Sequence, residues 1–266
     1  MLKSKYNVLL MILIVVINGC RPLYNSVYTK PRFTDDGISR KAKKLHQQVF
    51  YLSRNGIGIG HQDDMAYGID WEYEKDTEEQ ASDIKAITGS LPAVFGFDVA
   101  GVETAASYNI DSVSFDVMKH LMVEAYKSGG MVTVSWHANN PVSDGNSWEV
   151  TPAVDQLLEQ GPTREKFESW IDRLADFLTS VRHRGKPIPI LLRPWHEMNG
   201  SWFWWGDPNC TQKDYIQLWQ LTVKLLRDKH KLHNLLYVYA PNTIETKEEY
   251  LNYYPGDDFV DILGID

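Results

Sequence analysis

Hydrophobic and polar positions between residues 39 and 266 follow two alternating periods. Short apolar runs typical of buried strands are separated by longer segments with apolar residues at helical spacing. We predict strands at residues 56–60, 91–97, 131–136, 188–192, 235–239 and 260–265. We predict helices at residues 39–55, 77–87 and 112–127, one capped by Thr163 and ended by Gly185, and one capped by Thr211 that runs to about residue 230. This alternation predicts a parallel sheet covered by helices.

Polar or aromatic residues follow each predicted strand. They are His61, Asp63, Asp98, His137, Asn139, His196, Glu197, Tyr239, Asn242 and Asp266. In a TIM barrel the carboxyl ends of all the strands meet at one face, which carries the active site. The predicted fold class is therefore α/β, a (β/α)8 TIM barrel with about six of its eight βα units in this chain. Because no glycine-rich phosphate fingerprint follows a strand, we expect no dinucleotide site.

The number of predicted strands does not complete such a barrel. A closed barrel needs eight βα units, and the sequence ends with the sixth strand. A sheet left open at that point exposes two apolar edge strands, which natural proteins avoid. We therefore expect residues 1–266 to be the N-terminal portion of a longer protein, with the C-terminal part of the barrel missing. Closure of the six units on themselves would contradict this expectation.

The most informative segment follows the predicted strand at residues 188–192. From Arg193 it reads Arg-Pro-Trp-His-Glu-Met-Asn-Gly-Ser-Trp-Phe-Trp-Trp-Gly. The strand places Glu197 at its carboxyl end, and desolvation beside aromatic rings favours the neutral form of a carboxyl group, as a general acid requires. Aromatic faces also pack well on sugar rings. The structural alternative is an ion pair between Glu197 and Arg193, with the tryptophans in the core.

This run of residues resembles the acid/base signature of glycoside hydrolase family 26, the β-mannanase family. The resemblance implies a retaining glycosidase that cleaves β-1,4-mannosidic linkages in mannan, glucomannan or galactomannan, with Glu197 as the acid/base. Retaining enzymes need a second carboxyl group about 5–5.5 Å away as the nucleophile. In the family this is a glutamate at the end of the seventh strand, so we assign the nucleophile to no residue of this chain.

Three further residues match sugar-binding positions of the family. The resemblance implies that His196 forms hydrogen bonds near the nucleophile and the sugar. It also implies that Trp202 provides an aromatic platform in the cleavage subsite. His137, in Trp-His-Ala-Asn-Asn-Pro, matches a subsite histidine at the end of the third strand. The structural alternatives are a core-facing strand residue for His196 and a loop histidine with satisfied hydrogen bonds for His137.

The remaining candidates have weaker support. Asp266 matches the aspartate of the family's Gly-x-Asp-x-Tyr element, whose tyrosine would lie two residues beyond the sequence. Trp148 is a candidate sugar platform in a long loop, or a tryptophan that covers the core. We interpret Arg193 as a supporting donor that orients Glu197 or the nucleophile. Asp63 and Asp98 match no family element, and for both we expect a capping or loop role.

Charge and composition narrow the possible partners. With a formal net charge of −8, the protein offers no basic field for nucleic acid, whereas a neutral polysaccharide is compatible with it. No protein partner is implied. His61 with Asp63 and Asp64 could chelate a cation, but clustered histidine or cysteine spacing does not occur, so we expect no catalytic metal and no other cofactor. There is also no Gly-x-Ser-x-Gly motif for a serine esterase.

The N-terminus predicts export. Two lysines precede an apolar run at residues 8–17, which is too short for a membrane-spanning helix, and Cys20 follows a small residue. This pattern is typical of a bacterial lipoprotein signal at residues 1–20, with lipidation of Cys20; the alternative is an ordinary cleaved signal peptide. Residues 21–38 then form a tether and residues 39–266 the catalytic barrel. We expect the protein to be anchored to the outer membrane, on a face that the sequence leaves undecided. For Cys210, the other cysteine, we expect a packing role rather than a reactive one.

Two other functions remain open from the sequence. One is a non-catalytic glycan-binding lipoprotein with a degenerate barrel that keeps the aromatic cleft without a nucleophile. The other is a family member that acts on xylan or mixed-linkage β-glucan. A seventh strand that carries a glutamate would favour the enzyme over the binding protein.

Overall fold

The computed structural model describes residues 31–74 and 81–266, of which Phe33–Asp266 form one compact unit. The predicted signal peptide, Cys20, most of the predicted tether and the first part of the helix predicted at 77–87 lie outside the described residues. None of the helices within the described ranges is long and apolar enough to cross a membrane.

Six parallel strands form the central sheet, in the order of the sequence. We label them β1 Gly60–Gln62, β2 Val94–Asp98, β3 Met131–Trp136, β4 Ile190–Pro194, β5 Leu235–Tyr239 and β6 Ile262–Leu263. Each central strand pairs in parallel with the next, for example Thr133 with Leu191 and Ile190 with Leu235. Two short antiparallel ribbons lie outside this sheet, Tyr67–Gly68 with Trp71–Glu72 and Arg182–His183 with Lys186–Pro187.

Helices connect the strands. They are α1 Arg40–Asn55, α2 Asp83–Thr88, α3 Phe115–Lys127, α4 Val154–Leu158, α5 Pro162–Ser180, α6 Gln212–Lys224 and α7 Lys247–Leu251. A 3-10 turn at Val102–Thr104 precedes α3, and a π-helical turn at Leu225–Lys229 continues α6. The predicted cap of α6 is confirmed, since the Thr211 hydroxyl accepts a hydrogen bond from the backbone N–H of Asp214.

The structure moves several predicted boundaries, including one at β1 and two at α5. The first strand is not residues 56–60 but Gly60–Gln62, because its partner strand begins at Val94, which pairs with Gly60. Thr163 does not cap α5; the helix begins at Pro162, whose fixed φ suits the first helical position. The helix also ends at Ser180 rather than at Gly185, which instead occupies the turn of an antiparallel ribbon with φ of 75°.

Both faces of the sheet are covered, as is usual for parallel sheets. The larger core packs α3, α5 and α6 against one face and includes Phe97, Val134, Leu192 and Tyr237. On the other face, Ala42 and Leu45 of α1 pack with Met131, Leu191 and Leu236. Alternate residues of the four central strands, β2 to β5, therefore enter different cores.

The folded unit also includes residues that the sequence analysis placed in the tether. Ile38 is buried, the Ser39 N–H donates to the His233 carbonyl, and the Thr34 N–H donates to Asp261 Oδ1 at 2.8 Å. These hydrogen bonds hold the segment before α1 against the end of the sheet formed by β5 and β6.

The sheet does not close on itself within the described residues. β1 pairs only with β2, and β6 only with β5. Apolar side chains close to both outer strands remain exposed, among them Ile57 and Ile59 near β1 and Leu263 and Ile265 at β6. The six units thus form an open parallel sheet with two free edges.

Candidate active site

The chain turns sharply where β4 ends. Trp195 and Glu197 both have left-handed backbone conformations, with φ of 50° and 54°, which cost roughly 1–3 kcal/mol each in residues other than glycine. Trp195 is fully buried, and its indole N–H donates to Thr222 Oγ1 at 3.0 Å. Glu197 is partly exposed. The two conformations direct three successive side chains to three places: the core, the neighbouring strand β3 and the cleft.

Glu197 is held by two donors. The Trp202 indole N–H donates to Oε2 at 2.8 Å, and the Asn242 side-chain amide donates to Oε1 at 2.7 Å. Its backbone N–H donates to the Ala240 carbonyl at 2.9 Å, which joins the segment after β4 to the segment after β5. Both carboxyl oxygens are therefore oriented while the group remains accessible from the cleft.

A carboxylate and two histidines lie in a line beside Glu197. Asp98 Oδ2, at the end of β2, is 2.7 Å from His137 Nδ1, and His137 Nε2 is 3.2 Å from His196 Nε2. Burial lowers the pKa of His196 well below 6.5, and the positive charge of Arg193 and the neighbouring His137 lower it further. Burial raises the pKa of Asp98, but hydrogen bonds from His137, Ser135 and the Ala100 N–H outweigh it, so the pKa is lowered overall. At neutral pH Asp98 is ionised and His196 is uncharged.

The aromatic residues of the motif divide between the cleft and the core. Trp202 is 39% exposed, whereas Phe203, Trp204 and Trp205 are buried. The Trp204 indole N–H donates to the Ala138 carbonyl at 3.0 Å, and Trp205 donates to the His196 carbonyl at 2.9 Å. Of the motif's tryptophans after Glu197, Trp202 alone therefore presents an exposed ring face to the cleft. Trp204 joins the segment after β4 to the segment after β3, and Trp205 ties the segment after β4 to itself.

Trp148 reaches the same cleft from the loop after β3. It is 48% exposed and stacks on His137, with ring centroids 5.2 Å apart and an interplanar angle of 13°. It also contacts the ring of Phe203 at 5.6 Å. This loop tryptophan does not serve mainly to cover the core, because about half of its surface is free.

Arg193 pairs with Asp266 rather than with Glu197. The side chain of Arg193, on β4, forms an ion pair with the carboxylate of Asp266 after β6, and the Asp266 N–H donates to the Pro241 carbonyl at 2.8 Å. Burial lowers the pKa of Arg193 overall, although the nearby acidic groups of Asp98 and Glu197 act in the opposite direction. The predicted candidates Glu197, His196, His137, Trp202, Trp148, Arg193 and Asp266 thus all lie at the carboxyl ends of the strands.

Two further residues, Asn242 and Glu103, shape this site and were not among the predicted site residues. Asn242 was noted only as a strand-end residue, yet it holds Glu197, and Asn199 in turn accepts a hydrogen bond from the Asn242 backbone N–H at 2.8 Å. Glu103 is fully buried and accepts hydrogen bonds from the Trp136 indole and the Asn139 N–H at 3.1 and 3.0 Å. Its side chain therefore braces the segment that carries His137. For Asn242, its position directly after a predicted strand could have indicated a role in the site. For Glu103, no feature of the sequence indicated one.

The end of β1 carries a second group of polar residues. His61 Nδ1 is 2.9 Å from Asp64 Oδ1. Asp63 is fully buried, and burial together with the nearby carboxyl groups of Asp111 and Asp98 raises its pKa to about 8. Within residues 31–74 and 81–266, no group of three or more histidine, cysteine, aspartate or glutamate side chains is arranged to hold a metal ion. Burial likewise raises the pKa of the Cys210 thiol to about 12, so this thiol is protonated at neutral pH.

A parallel βα sheet whose strand ends gather a carboxylate, two histidines and exposed tryptophans is typical of a (β/α)8-barrel glycoside hydrolase. The sequence model of glycosyl hydrolase family 26 matches residues 35–266. The chain belongs to glycosyl hydrolase family 26. Its six strands are six of the eight βα units of the family's (β/α)8 barrel, which confirms the predicted fold class.

Named relatives and solved structures agree with this assignment. A mannan endo-1,4-beta-mannosidase of Bifidobacterium adolescentis is 34% identical over 212 residues, covering 76% of this chain and 21% of the relative. One of Bacillus subtilis is 34% identical over 200 residues, covering 70% and 53%. The structure of a GH26 beta-mannanase from Bacteroides ovatus superimposes with a TM-score of 0.81 at 41% identity, covering 86% of this chain and 66% of that one. The chain thus spans about half, or less, of the length of these two curated relatives.

Proposed function

We propose that this chain carries the acid/base part of a retaining glycosidase that hydrolyses β-1,4-mannosidic linkages of mannan, glucomannan or galactomannan. The observation that carries the proposal is the setting of Glu197. It lies at the carboxyl end of β4, partly exposed, with one donor on each carboxyl oxygen. Membership in family 26 and the similarity to enzymes named as mannan endo-1,4-beta-mannosidases support the substrate class.

In the proposed reaction Glu197 acts twice. It first donates its proton to the departing glycosidic oxygen while a carboxylate nucleophile forms a glycosyl-enzyme bond. It then removes a proton from the water that breaks this bond, and the sugar leaves with its configuration retained. The family's nucleophile belongs to a seventh strand, and the sheet described here has six strands, so we assign the nucleophile to no residue of this chain.

The remaining site residues bind and orient the sugar. Trp202 and Trp148 offer exposed ring faces on which a pyranose can pack. His137 lies between Trp148 and His196, where its ring contacts both. We propose that this pair of histidines contacts the sugar next to the cleaved bond. The ion pair of Arg193 with Asp266 fixes the base of the cleft, so Arg193 supports the site rather than reacting.

We also propose that the protein is exported and attached to the bacterial outer membrane through Cys20. The support comes from the signal-like residues 1–20 alone. Labelling of cells with radioactive palmitate should give a labelled protein, and Cys20→Ser should abolish the labelling. Equal labelling of both proteins would exclude this anchor.

The role of Glu197 can be tested by changing the leaving group. In the full-length protein, Glu197→Ala should lower the turnover of mannan by about 10² to 10⁴-fold. An aryl β-mannobioside with a dinitrophenolate leaving group needs no proton donor, so its first step should be retained and a glycosyl-enzyme should accumulate. Azide needs no general base, and it should release this intermediate as a glycosyl azide.

Two results would contradict the assignment. One is unchanged mannan turnover in Glu197→Ala. The other is an equal loss of turnover on mannan and on the aryl mannobioside, with no effect of azide. Parallel assays of the unaltered protein on mannan, xylan and mixed-linkage glucan decide the substrate. A protein that binds mannan but hydrolyses none of the three would be a glycan-binding protein.

A further inference from the structure

Asp98 is a buried carboxyl group near the proposed site, and both of its oxygens are hydrogen-bonded. It is 2% exposed. Oδ1 accepts a hydrogen bond from the Ala100 N–H at 2.8 Å, and Oδ2 accepts one from the Ser135 hydroxyl at 2.7 Å. Oδ2 also lies 2.7 Å from His137 Nδ1. Buried charges persist only where hydrogen bonds replace water, and these contacts provide that replacement for an ionised carboxylate.

The bonding of Asp98 determines where the protons of both histidines lie. An ionised carboxylate only accepts hydrogen bonds, so His137 must carry a proton on Nδ1. The Nε2 atom of a neutral His137 is then an acceptor. It lies 3.2 Å from His196 Nε2, so His196 must carry its proton on Nε2. The tautomer of each ring thus follows from the hydrogen bond made by its neighbour.

The opposite arrangement is less favourable. It would require a doubly protonated His137 and a proton on His196 Nδ1. That atom is buried and forms no hydrogen bond of ordinary geometry within the described part of the chain, although the backbone of Arg193 lies near the ring. A buried N–H without an acceptor is rarer than a buried acceptor without a donor. The charge of Arg193 near His196 further disfavours a second cation beside it.

We propose that Asp98 is a positioning residue that fixes the tautomers and the ring orientations of His137 and His196. Through His137 it also positions Trp148, which stacks on the His137 ring. Asp98 itself touches no sugar in this proposal. The sugar-binding consequence rests on the proposed function, whereas the assignment of the tautomers does not.

The variant Asp98→Asn removes the negative charge and changes the required tautomer of His137, but it keeps the shape of the side chain. The new amide can keep the hydrogen bond from the Ala100 N–H through its oxygen. Its NH₂ group replaces Oδ2 and donates to His137 Nδ1 and to the Ser135 hydroxyl, whose own proton can turn to the Phe97 carbonyl, 3.4 Å away. His137 must then carry its proton on Nε2, and His196 must carry it on Nδ1. One isosteric substitution should therefore invert both tautomers.

The test is ¹H–¹⁵N NMR spectroscopy of the imidazole rings in the full-length protein at neutral pH, with each ring assigned by a His→Gln substitution. In the unaltered protein, His137 should show a protonated Nδ1 and His196 a protonated Nε2, and Asp98→Asn should exchange the two nitrogen types in both rings. Ser135→Ala is the matched control, because it removes one hydrogen bond but keeps the carboxylate, so both tautomers should stay as they are.

Two outcomes would overturn the proposal. One is a protonated His137 Nε2 or His196 Nδ1 in the unaltered protein, and another is a His196 ring that does not respond to Asp98→Asn. If the variant does not fold, the spectrum of the unaltered protein still decides the assignment. A protein without mannanase activity would refute the proposed function and leave the NMR result valid. With an active protein, Asp98→Asn should lower kcat/KM on mannan by about 10 to 100-fold, by analogy with the loss of carboxylates that orient metal-ligating histidines.

Discussion

The ends of β1 and β4 both carry a histidine and a left-handed acidic residue, yet their chemistry differs. Each places a histidine and a carboxyl group at the active face, and the carboxyl residues Asp63 and Glu197 have φ of 49° and 54°. Glu197 is partly exposed and receives one hydrogen bond on each oxygen. Asp63 is fully buried, and neither of its oxygens forms a hydrogen bond of ordinary geometry within the described ranges.

The difference shows that position on a barrel face does not by itself define a reactive carboxyl group. What separates the two groups is the supply of donors and access to the cleft. Trp202 and Asn242 come from the loops after β4 and β5 and hold Glu197 open to substrate. At Asp63, burial favours the protonated form, and the nearby carboxyl groups of Asp111 and Asp98 add to this effect.

The largest expected contrast is in catalysis. In the full-length protein, Glu197→Gln should lower mannan turnover by about 10² to 10⁴-fold, because the amide cannot transfer a proton. Asp63→Asn keeps the shape of a group that is already neutral in the folded state, so it should leave turnover close to that of the unaltered protein. Steady-state rates on mannan measure both effects. A comparable loss in Asp63→Asn would remove the distinction between the two strand ends.

The second contrast is in the pH dependence of stability. The pKa of Asp63 is about 8 in the folded protein, against about 3.9 in an unfolded chain. Between these values the folded state holds a proton that the unfolded state has released, so its stability falls as the pH rises. From pH 5 to pH 8 this group should cost about 2 to 4 kcal/mol of unfolding free energy.

Asp63→Asn should remove that part of the pH dependence. Urea unfolding at pH 5 and pH 8 measures it as the difference between the variant and the unaltered protein, which cancels the contribution of other titrating groups. Asp70→Asn is the matched control, because Asp70 is exposed and also left-handed, with φ of 63°. Equal pH dependence in all three proteins would show that Asp63 is ionised in the fold.

The smallest contrast separates the cleft tryptophan from the core tryptophan. Trp202→Phe removes the donor to Glu197 Oε2 and should lower turnover about tenfold, as expected for one hydrogen bond to a charged group, with little change in stability. Trp204→Phe leaves the buried Ala138 carbonyl without its donor and should lower the unfolding free energy by about 1 to 3 kcal/mol. Steady-state kinetics and urea unfolding of both variants test these two roles. A loss of stability in Trp202→Phe and a loss of turnover in Trp204→Phe would contradict the assignment.

The parallel architecture was predictable because buried parallel strands are continuous apolar runs, and the run at 131–136 coincides with β3. The extent of β1 was not, because it depends on where Val94 of the neighbouring strand begins to pair. The motif likewise predicted Glu197 and Trp202, but not that Trp204 and Trp205 are buried, since the chain carries no local periodicity in this loop.

Residues that act through a partner distant in the sequence were the hardest to predict. Asp98 and His137 end neighbouring strands, and their hydrogen bond depends on the register of β2 and β3, in which Asp98 pairs with Ser135. Glu103 lies in a short 3-10 turn and looks like an ordinary surface acid in the sequence. Only the folded chain brings the Trp136 indole and the Asn139 N–H to its carboxylate.

The left-handed conformations of Trp195 and Glu197 limit which sequences can occupy this turn. Valine, isoleucine and threonine are strongly disfavoured at positive φ. In a saturation library selected for folding alone, these three residues should therefore be depleted at both positions, even though the preceding strand favours them. Diversity at the end of β4 is restricted by the backbone before any substrate is present, so variation in specificity is easier to introduce through the loops that carry Trp148 and Asn242.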